Sequence, residues 1–266
     1  MIITIDIGNT TTGLAVFEGE KIVKIDSVKT GTRGCYEKRL IGALRGLSRD
    51  AGCGMPDAGT VVCSVVPKAL TIAKRCVKKV CGQKPLVVGK DILVPMDNHY
   101  RDPSQVGQDR LVCAYAAAQL YGYPAVVVDL GTAITFDVVG ARKGGGPGRP
   151  EYLGGIIAPG IRLSAETLFQ QTALLPQITI HKPRQLIGQT TEESILSGMF
   201  YGYGEMIKGI VDLLSNQLRR EPKIIVTGGY SEVMVRYISG HACLCDSDLV
   251  FKGLASLLQD QHKKSI

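Results

Sequence analysis

The sequence lacks an apolar run long enough to cross a membrane. A spanning helix takes roughly 20 consecutive apolar residues, whereas the longest runs here, such as Ala125–Val128 and Ile156–Pro159, stop after a few. The opening MIITIDIGNT places an acid at Asp6 and has neither a basic lead-in nor a small-residue cleavage site, so it does not match a secretory signal. We therefore expect a cytoplasmic protein with no membrane partner.

The sequence also lacks the cysteine spacing of a disulfide or zinc framework. Its eight cysteines are scattered over a long chain without a signal peptide. A structural zinc site takes four closely spaced ligands, but the one tight pair, Cys243 and Cys245, has only His241 beside it. We expect most thiols to be reduced and no zinc site at this pair.

Basic charge is in slight excess but is not concentrated. The 266 residues include 31 Lys and Arg against 24 Asp and Glu, a net charge of +7. The densest basic group, Lys74–Lys79, has no interleaved aromatic residues, which argues against a nucleic-acid partner and favours a solvated face or attraction for phosphorylated small molecules. With 45% hydrophobic residues, the chain has the apolar material for one large or two ordinary domains.

The apolar pattern predicts a β-meander that occurs twice. Strands are expected at Ile2–Asp6, Thr12–Phe17 and Lys21–Val28, and the pattern restarts after Pro124, which gives predicted domains at 1–122 and 123–266. The remaining predicted elements are helices at Glu37–Leu47, Lys68–Val80, Ser104–Tyr121, Ile161–Phe169, Glu192–Leu218 and Asp248–Leu258, and strands at Thr60–Val66, Leu86–Val88, Ala125–Asp129, Ile134–Val139, Glu151–Ala158 and Lys223–Val226.

Two segments repeat at an offset of 123 residues. DIGNTTTGLAV begins at Asp6 and DLGTAITFDVV begins at Asp129, and the offset superposes Gly131 on Gly8 and Thr135 on Thr12. A duplicated domain explains this repeat. The predicted fold class is therefore α/β, with two copies that face each other across a cleft.

Each repeat has the chemistry of a phosphate turn. Glycine lets the backbone approach closely, N–H groups and hydroxyls bond phosphate oxygens, and a strand-end acid can hold Mg²⁺ directly or through water. One such turn is equally typical of an ordinary hairpin. Two of them would form a clamp on a triphosphate and its metal.

Two other glycine-rich segments predict different local structures. IIVTGGY, residues 224–230, is a predicted strand that ends in paired glycines before a helix near Ser231, which makes it either a nucleoside site or an ordinary βα turn. RKGGGPGRP, Arg142–Pro150, has no Walker A ending and no following helix, so we expect a hairpin tip there.

Taken together, the motifs DIGNTTTG, DLGTAIT and VTGG resemble those of the actin-like ATPase and sugar-kinase superfamily, whose domains have an RNase H-like fold. YRDPSQVGQDR, Tyr100–Arg110, and YLGGIIAPG, Tyr152–Gly160, further resemble signatures of the type III pantothenate kinases. The resemblance runs from Asp6 to near Leu258. It implies a transferase that phosphorylates pantothenate with ATP in the first step of coenzyme A synthesis, and a homodimer.

The resemblance also assigns the substrate side of the site. It implies that Asp109 accepts the proton of the pantothenate hydroxyl, which fits a carboxylate that orients the attacking group in phosphoryl transfer. A guanidinium such as Arg110 suits a carboxylate ligand. Thr191 matches a substrate-contacting position, with Thr190 as the open alternative and helix capping as the role of the other. The implied substrate-binding residues are Tyr100, Gly107, Gln108, Asp109, Arg110 and Thr191.

On the nucleotide side, the resemblance implies that Asp6 manages Mg²⁺, directly or through water. Asp129 matches the ligand of a monovalent cation, K⁺ or NH₄⁺. Thr132 is expected to donate to the phosphates from the second repeat. The implied ATP-binding residues are Asp6, Ile7, Gly8, Asn9, Thr10, Thr11, Thr12, Gly13 and Thr132.

Two other functions compete with this one. A nucleotide-sensing regulator would keep Asp6 and Thr132 but could lose Asp109 and Arg110, and both of these are present. A kinase for another small molecule, or a phosphatase, would share the fold. Tyr100 and the GQDR signature argue against that alternative.

Overall fold

The computed structural model describes residues 1–50, 59–141 and 149–264. It divides into two compact units: Met1–Met96 with Arg101–Ala116 and Leu249–Ile266, and Asp97–Tyr100 with Ala117–Asp248. A domain boundary after residue 122 stays a prediction. Cys53 and residues 142–148 of the glycine-rich segment lie outside the described residues.

The first unit is built on a five-stranded sheet in the order β3-β2-β1-β4-β5. β1 lies antiparallel to β2 and parallel to β4, so the chain forms a meander and then crosses over. The strands are β1 (Ile2–Ile7), β2 (Thr11–Glu18), β3 (Lys21–Lys29), β4 (Gly59–Ser64) and β5 (Leu86–Val87), as predicted to within two residues at each end.

Helices cover both faces of this sheet. Ile3, Ile5 and Ile7 alternate along β1 and pack with α1 (Gly34–Asp50) and α2 (Pro67–Cys81). The other face carries a second core, in which Val61 and Cys63 of β4 meet residues of α3 (Gln108–Tyr121) and α7 (Leu249–Lys264). Both faces of the central strands are therefore buried, which explains their nearly continuous apolar sequence.

The second unit has a six-stranded sheet in the order β11-β10-β7-β8-β9-β6. One of its faces packs on α4 (Ile161–Gln171) and α5 (Thr191–Leu218) through a core that includes Val128, Phe136 and Phe200. The other elements are β6 (Asp97–Asn98), β7 (Ala125–Leu130), β8 (Ala133–Ala141), β9 (Pro150–Pro159), β10 (Lys223–Thr227), the short α6 (Ser231–Met234) and β11 (Cys243–Cys245).

The two sheets share one connectivity. β7, β8, β9, β10 and β11 pair as β1, β2, β3, β4 and β5 do, and β6 is an addition beside β9. However, Asp6 pairs with Gly13, whereas Asp129 pairs with Thr135, so the second strands correspond at an offset of 122 rather than 123 residues. The superposition of Thr135 on Thr12 is therefore wrong by one residue.

A shorter second turn explains this difference. Gly8 N–H donates to the carbonyl of Thr11, while Gly131 N–H donates to that of Ala133, one residue sooner. With the corrected offset, the irregularity between Val16 and Phe17 falls on the one between Val138 and Val139.

The helix predicted at Ser104–Tyr121 is also interrupted. Asp102 caps a single 3₁₀ turn at Pro103–Gln105, and α3 begins only at Gln108. Among the described residues, we find no helix with the length and hydropathy needed to cross a bilayer.

Candidate active site

The first unit brings two predicted site carboxylates near one buried thiol. Asp6 is the penultimate residue of β1 and the register partner of Cys63 on β4. Burial raises the pKa of the Cys63 thiol well above its usual value, and the negative charges of Asp6 and Asp109 raise it further. Asp6 and Asp109 therefore both act on the buried Cys63 of the first unit.

Asp109 lies in the first turn of α3, where its carboxylate is partly withdrawn from solvent. Its Oδ1 accepts a hydrogen bond from the backbone N–H of Arg110 at 2.8 Å. Burial raises the pKa of Asp109, while this bond and the Arg110 guanidinium act in the opposite direction. A carboxylate of this kind is held in place and has a stronger affinity for a proton than an exposed aspartate.

Close packing explains the glycine before this carboxylate. A Cβ on Gly107 would collide with Asp109 Oδ1 and would lie 3.5 Å from Val65 Cγ1. Gln108 packs against the turn at Gly89, because a Cβ there would lie 2.7 Å from its Cδ. The Gly107–Arg110 signature is therefore fitted against the ends of β4 and β5.

The first phosphate turn presents some of its predicted residues and buries others. Asn9 and Thr11 are exposed, and Asp6, Gly8, Thr10 and Gly13 are half-buried. Ile7 and Thr12 are fully buried. The Thr12 hydroxyl lies 2.9 Å from those of Thr30 and Tyr36, so it faces the protein interior.

In the second unit, the VTGG turn lies directly on the Asp129 turn. Thr227 is the parallel register partner of Asp129, and Tyr230 N–H donates to the carbonyl of Leu130. Gly228 has a φ of +89°, and a Cβ there would collide with Asp129 Oδ1. Only glycine supplies both the left-handed backbone and the space that Asp129 needs.

Thr132 is tied to the start of α4. Gly160, which precedes this helix, donates its backbone N–H to the Thr132 carbonyl at 3.2 Å. The DLGT, APG and VTGG segments therefore meet at the same end of the second sheet, although they lie far apart along the chain.

A cavity of about 560 Å³ lies beside the VTGG turn. Tyr230 closes it on one side and α4 on the other, with Ile178 and Ile180 contributed by the segment that follows α4. Phe169 adds an aromatic side chain, and the pair Arg162–Glu166, 3.6 Å apart, lies at its lining. The volume is in the range of small-molecule sites.

Tyr100 lies in the second unit, whereas Arg110 belongs to the first. β6 pairs with β9, and the Tyr100 ring lies 6.1 Å from that of Tyr152, centroid to centroid. The neighbouring His99 is exposed and lies 3.2 Å from the buried Glu151.

Thr190 and Thr191 have different roles at the start of α5. The Thr190 hydroxyl accepts from Glu193 N–H and caps α5, while Glu193 accepts from Gln189 N–H in return. The N-cap is therefore Thr190, which leaves the exposed Thr191 side chain available for other contacts.

Sequence reasoning missed Cys63, Tyr36 and Gly89. None stands in a motif, since Cys63 reads as a core residue of β4 and Tyr36 as part of an amphipathic helix. Over the described ranges, no group of three or more His, Cys, Asp or Glu side chains is arranged to hold a metal.

Two α/β units whose sheets share one core strand order define the fold class of this protein. A solved structure described as a 2-dehydro-3-deoxygalactonokinase, from Sinorhizobium meliloti, shares the fold, with a TM-score of 0.57 and 12% identity over 98% of this chain and 99% of its own.

Sequence comparison narrows the class. The family model for type III pantothenate kinase matches residues 2–213. A type III pantothenate kinase of Halalkalibacterium halodurans is 39% identical over 100% of both chains, and one of Persephonella marina is 39% identical over 89% of this chain and 90% of its own. The chain belongs to the type III pantothenate kinase family, and it is a kinase.

Proposed function

We propose that this protein transfers the γ-phosphoryl group of ATP to the primary hydroxyl of pantothenate, giving 4′-phosphopantothenate and ADP in coenzyme A biosynthesis. The observation that carries the proposal is the placement of the family signature, in which Gly107 lies against Val65, whose N–H donates to the carbonyl of Ile7 next to Asp6. Phosphoryl transfer asks the protein mainly for positioning and charge neutralisation. A base next to the phosphate turn meets the first requirement.

Asp109 is the proposed proton acceptor. Its carboxylate is fixed by the Arg110 N–H, and its raised pKa, caused by burial, strengthens it as a base. A group within hydrogen-bond reach of the attacking hydroxyl orients that hydroxyl and takes its proton late in the transfer. Arg110 holds the carboxylate of pantothenate, with Gly107 and Gln108 beside it and Tyr100 and Thr191 as further contacts.

Asp6 and the Gly8–Thr11 backbone are proposed to bind the nucleotide phosphates and Mg²⁺. Magnesium keeps several waters and binds proteins through one or two carboxylates plus substrate phosphates, so a single strand-end acid fits it. Magnesium supplies neutralisation of the phosphate charge when it is bound. Thr132 and its turn in the second unit are proposed to bind the same phosphates. The nucleotide would then lie in a cleft between two duplicated actin-like domains.

Asp129 is the proposed ligand of K⁺ or NH₄⁺. Its carboxylate oxygen lies against the Gly228 turn, and hard cations favour such oxygen donors. The nucleoside is proposed to lie at VTGGY, where the cavity beside Tyr230 offers an aromatic ring and polar groups.

Assembly as a homodimer in the cytoplasm completes the proposal. On β9, Leu153, Ile156 and Ile157 are 40%, 38% and 61% exposed, and adjacent exposed apolar side chains favour an association surface.

The decisive measurement is ADP release by the purified protein with MgATP, with and without pantothenate, first in K⁺ buffer and then with Na⁺ in its place. We expect release that requires both pantothenate and K⁺. If ATP binds but pantothenate stimulates no release, the kinase proposal fails and the nucleotide-sensing function takes its place. Equal rates in K⁺ and Na⁺ would remove the cation role of Asp129 alone.

A further inference from the structure

A buried carboxylate on β8 accepts two hydroxyl hydrogen bonds. Asp137 is only 1% exposed. Its Oδ1 accepts from the Tyr152 hydroxyl at 2.7 Å, and its Oδ2 accepts from the Thr135 hydroxyl at 3.1 Å. Because a buried charge is costly unless its lone pairs are satisfied, these donors hold the three side chains in one arrangement.

The hydrogen bond between Tyr152 and Asp137 also fixes the ring on which one side of Tyr100 packs. Tyr152 is fully buried, and its ring faces that of Tyr100 at an interplanar angle of 38°. The edge of the Tyr100 ring also approaches Gly154, where a Cβ would lie 3.7 Å away. Tyr152 and Gly154 therefore form the surface on which Tyr100 rests.

The backbone of Tyr100 is held independently of its ring. Tyr100 N–H donates to Asn98 Oδ1 at 3.0 Å, and His99 N–H donates to the Tyr152 carbonyl at 2.9 Å. Backbone position is thus set by the β6–β9 pairing. The orientation of the ring depends on what it packs against.

We propose that Asp137 and Tyr152 are positioning residues for pantothenate, acting through Tyr100. Asp137 fixes the Tyr152 ring, and that ring fixes the face of Tyr100 turned toward the substrate. The inference rests on the proposed function, since it takes Tyr100 as a contact of pantothenate. It assigns a specificity role to two residues that never touch the substrate.

The test is steady-state kinetics of Tyr152→Phe and Asp137→Asn in the full-length protein. Tyr152→Phe keeps the ring and loses only the hydroxyl. Hydrogen bonds to charged groups are the stronger ones, so we expect the KM for pantothenate to rise about tenfold in either variant. The KM for MgATP should stay within about twofold, since the Tyr152 hydroxyl bonds Asp137 and not a residue of either phosphate turn.

Tyr121→Phe is the matched control. Tyr121 donates to the Asp246 carboxylate at the same 2.7 Å in the same unit, but it contacts no proposed substrate residue. Both tyrosine variants should lower the thermal midpoint, because each loses the same kind of bond. Only Tyr152→Phe should change the KM for pantothenate.

Two results would overturn the inference. A third variant, Tyr100→Ala, distinguishes failure of the inference from failure of the proposed kinase function. If Tyr152→Phe lowers the midpoint as the control does and leaves the KM for pantothenate within twofold, the network is structural only. If Tyr100→Ala leaves this KM unchanged, Tyr100 is no substrate contact and the inference falls while kinase activity stands. Should Asp137→Asn fail to fold, calorimetric binding of pantothenate to Tyr152→Phe decides the question.

Discussion

The hydroxyls of Thr12 and Tyr36 lie 2.9 Å apart and are both buried behind the first phosphate turn. Thr12 also lies 2.9 Å from the Thr30 hydroxyl, and Thr30 N–H donates to the carbonyl of Thr10 within the turn itself. The three side chains therefore connect α1 and β3 to the backbone that is proposed to bind phosphate. Thr12 supports this turn from behind.

Tyr36→Phe should weaken nucleotide binding without touching the nucleotide. Loss of one buried hydrogen bond is worth about 1 kcal/mol, so we expect the KM for MgATP to rise about fivefold and the KM for pantothenate to stay the same. Tyr115→Phe is the control, because Tyr115 donates to Asp260 elsewhere in the unit. Equal effects of both variants on the KM for MgATP would contradict a role specific to the turn.

Asp109→Asn should lose most of the activity and gain stability. Removal of a general base costs about a hundredfold or more in turnover, and near-normal turnover would refute the assignment. Since burial raises the pKa of Asp109, the folded protein binds more protons than the unfolded chain between the two pKa values, and stability falls as pH rises through that window.

Asparagine has no such titration. Thermal melts of Asp109→Asn should therefore give a higher midpoint than the parent at neutral pH, and the difference should shrink as the pH falls toward about 4, the ordinary pKa of aspartate. A gain that does not change with pH would point to a cause other than ionisation of Asp109.

Gly228→Ala should disrupt the Asp129 turn, and Gly229→Ala should not. Alanine at the left-handed position costs about 1 to 2 kcal/mol, and its Cβ would displace the Asp129 carboxylate. We expect a lower midpoint and a loss of the K⁺ dependence of turnover. A Cβ at Gly229 would meet no atom within 4 Å, so an equal loss in Gly229→Ala would show that the turn tolerates no side chain at all.

Thr190→Val and Thr191→Val should separate capping from substrate binding. Thr190→Val removes the α5 cap and should cost about 1 kcal/mol of stability, with little change in kinetics. Thr191→Val should keep the stability and raise the KM for pantothenate about fivefold, the loss of one neutral hydrogen bond. Urea unfolding and initial rates measure both, and the reverse pattern would assign the substrate contact to Thr190.

The sequence predicted the strands and helices well because their periods are local. Gly107 shows the limit of this. The pattern predicted a continuous helix from Ser104, but the helix begins only after Gly107, at a position where a Cβ would meet Asp109 and Val65. The one-residue shift between the repeats depends on which carbonyl Gly131 bonds, and residue spacing does not encode that choice.

Candidate site residues could be named from the sequence only where they stand in local motifs. Motif residues such as Asp6, Asp109 and Gly228 were identifiable, whereas Cys63 and Tyr36 gain their importance only from partners on other strands and helices. Asp137 lies on β8, where the sequence pattern suggests an exposed acid rather than a buried one.

Helix α7 packs on the first unit but is synthesised only after the second unit. Phe251, Leu254 and Ala255 of α7 supply part of the buried core beneath β1, β2 and β4, and the ring of Phe251 lies over Gly13. One face of the first sheet therefore lacks its α7 cover until about 130 residues of the second unit have been translated, as the span Ala117–Asp248 requires. A ribosome-bound chain that stops before Leu249 should expose that face to chaperones, although every strand of the sheet is already present.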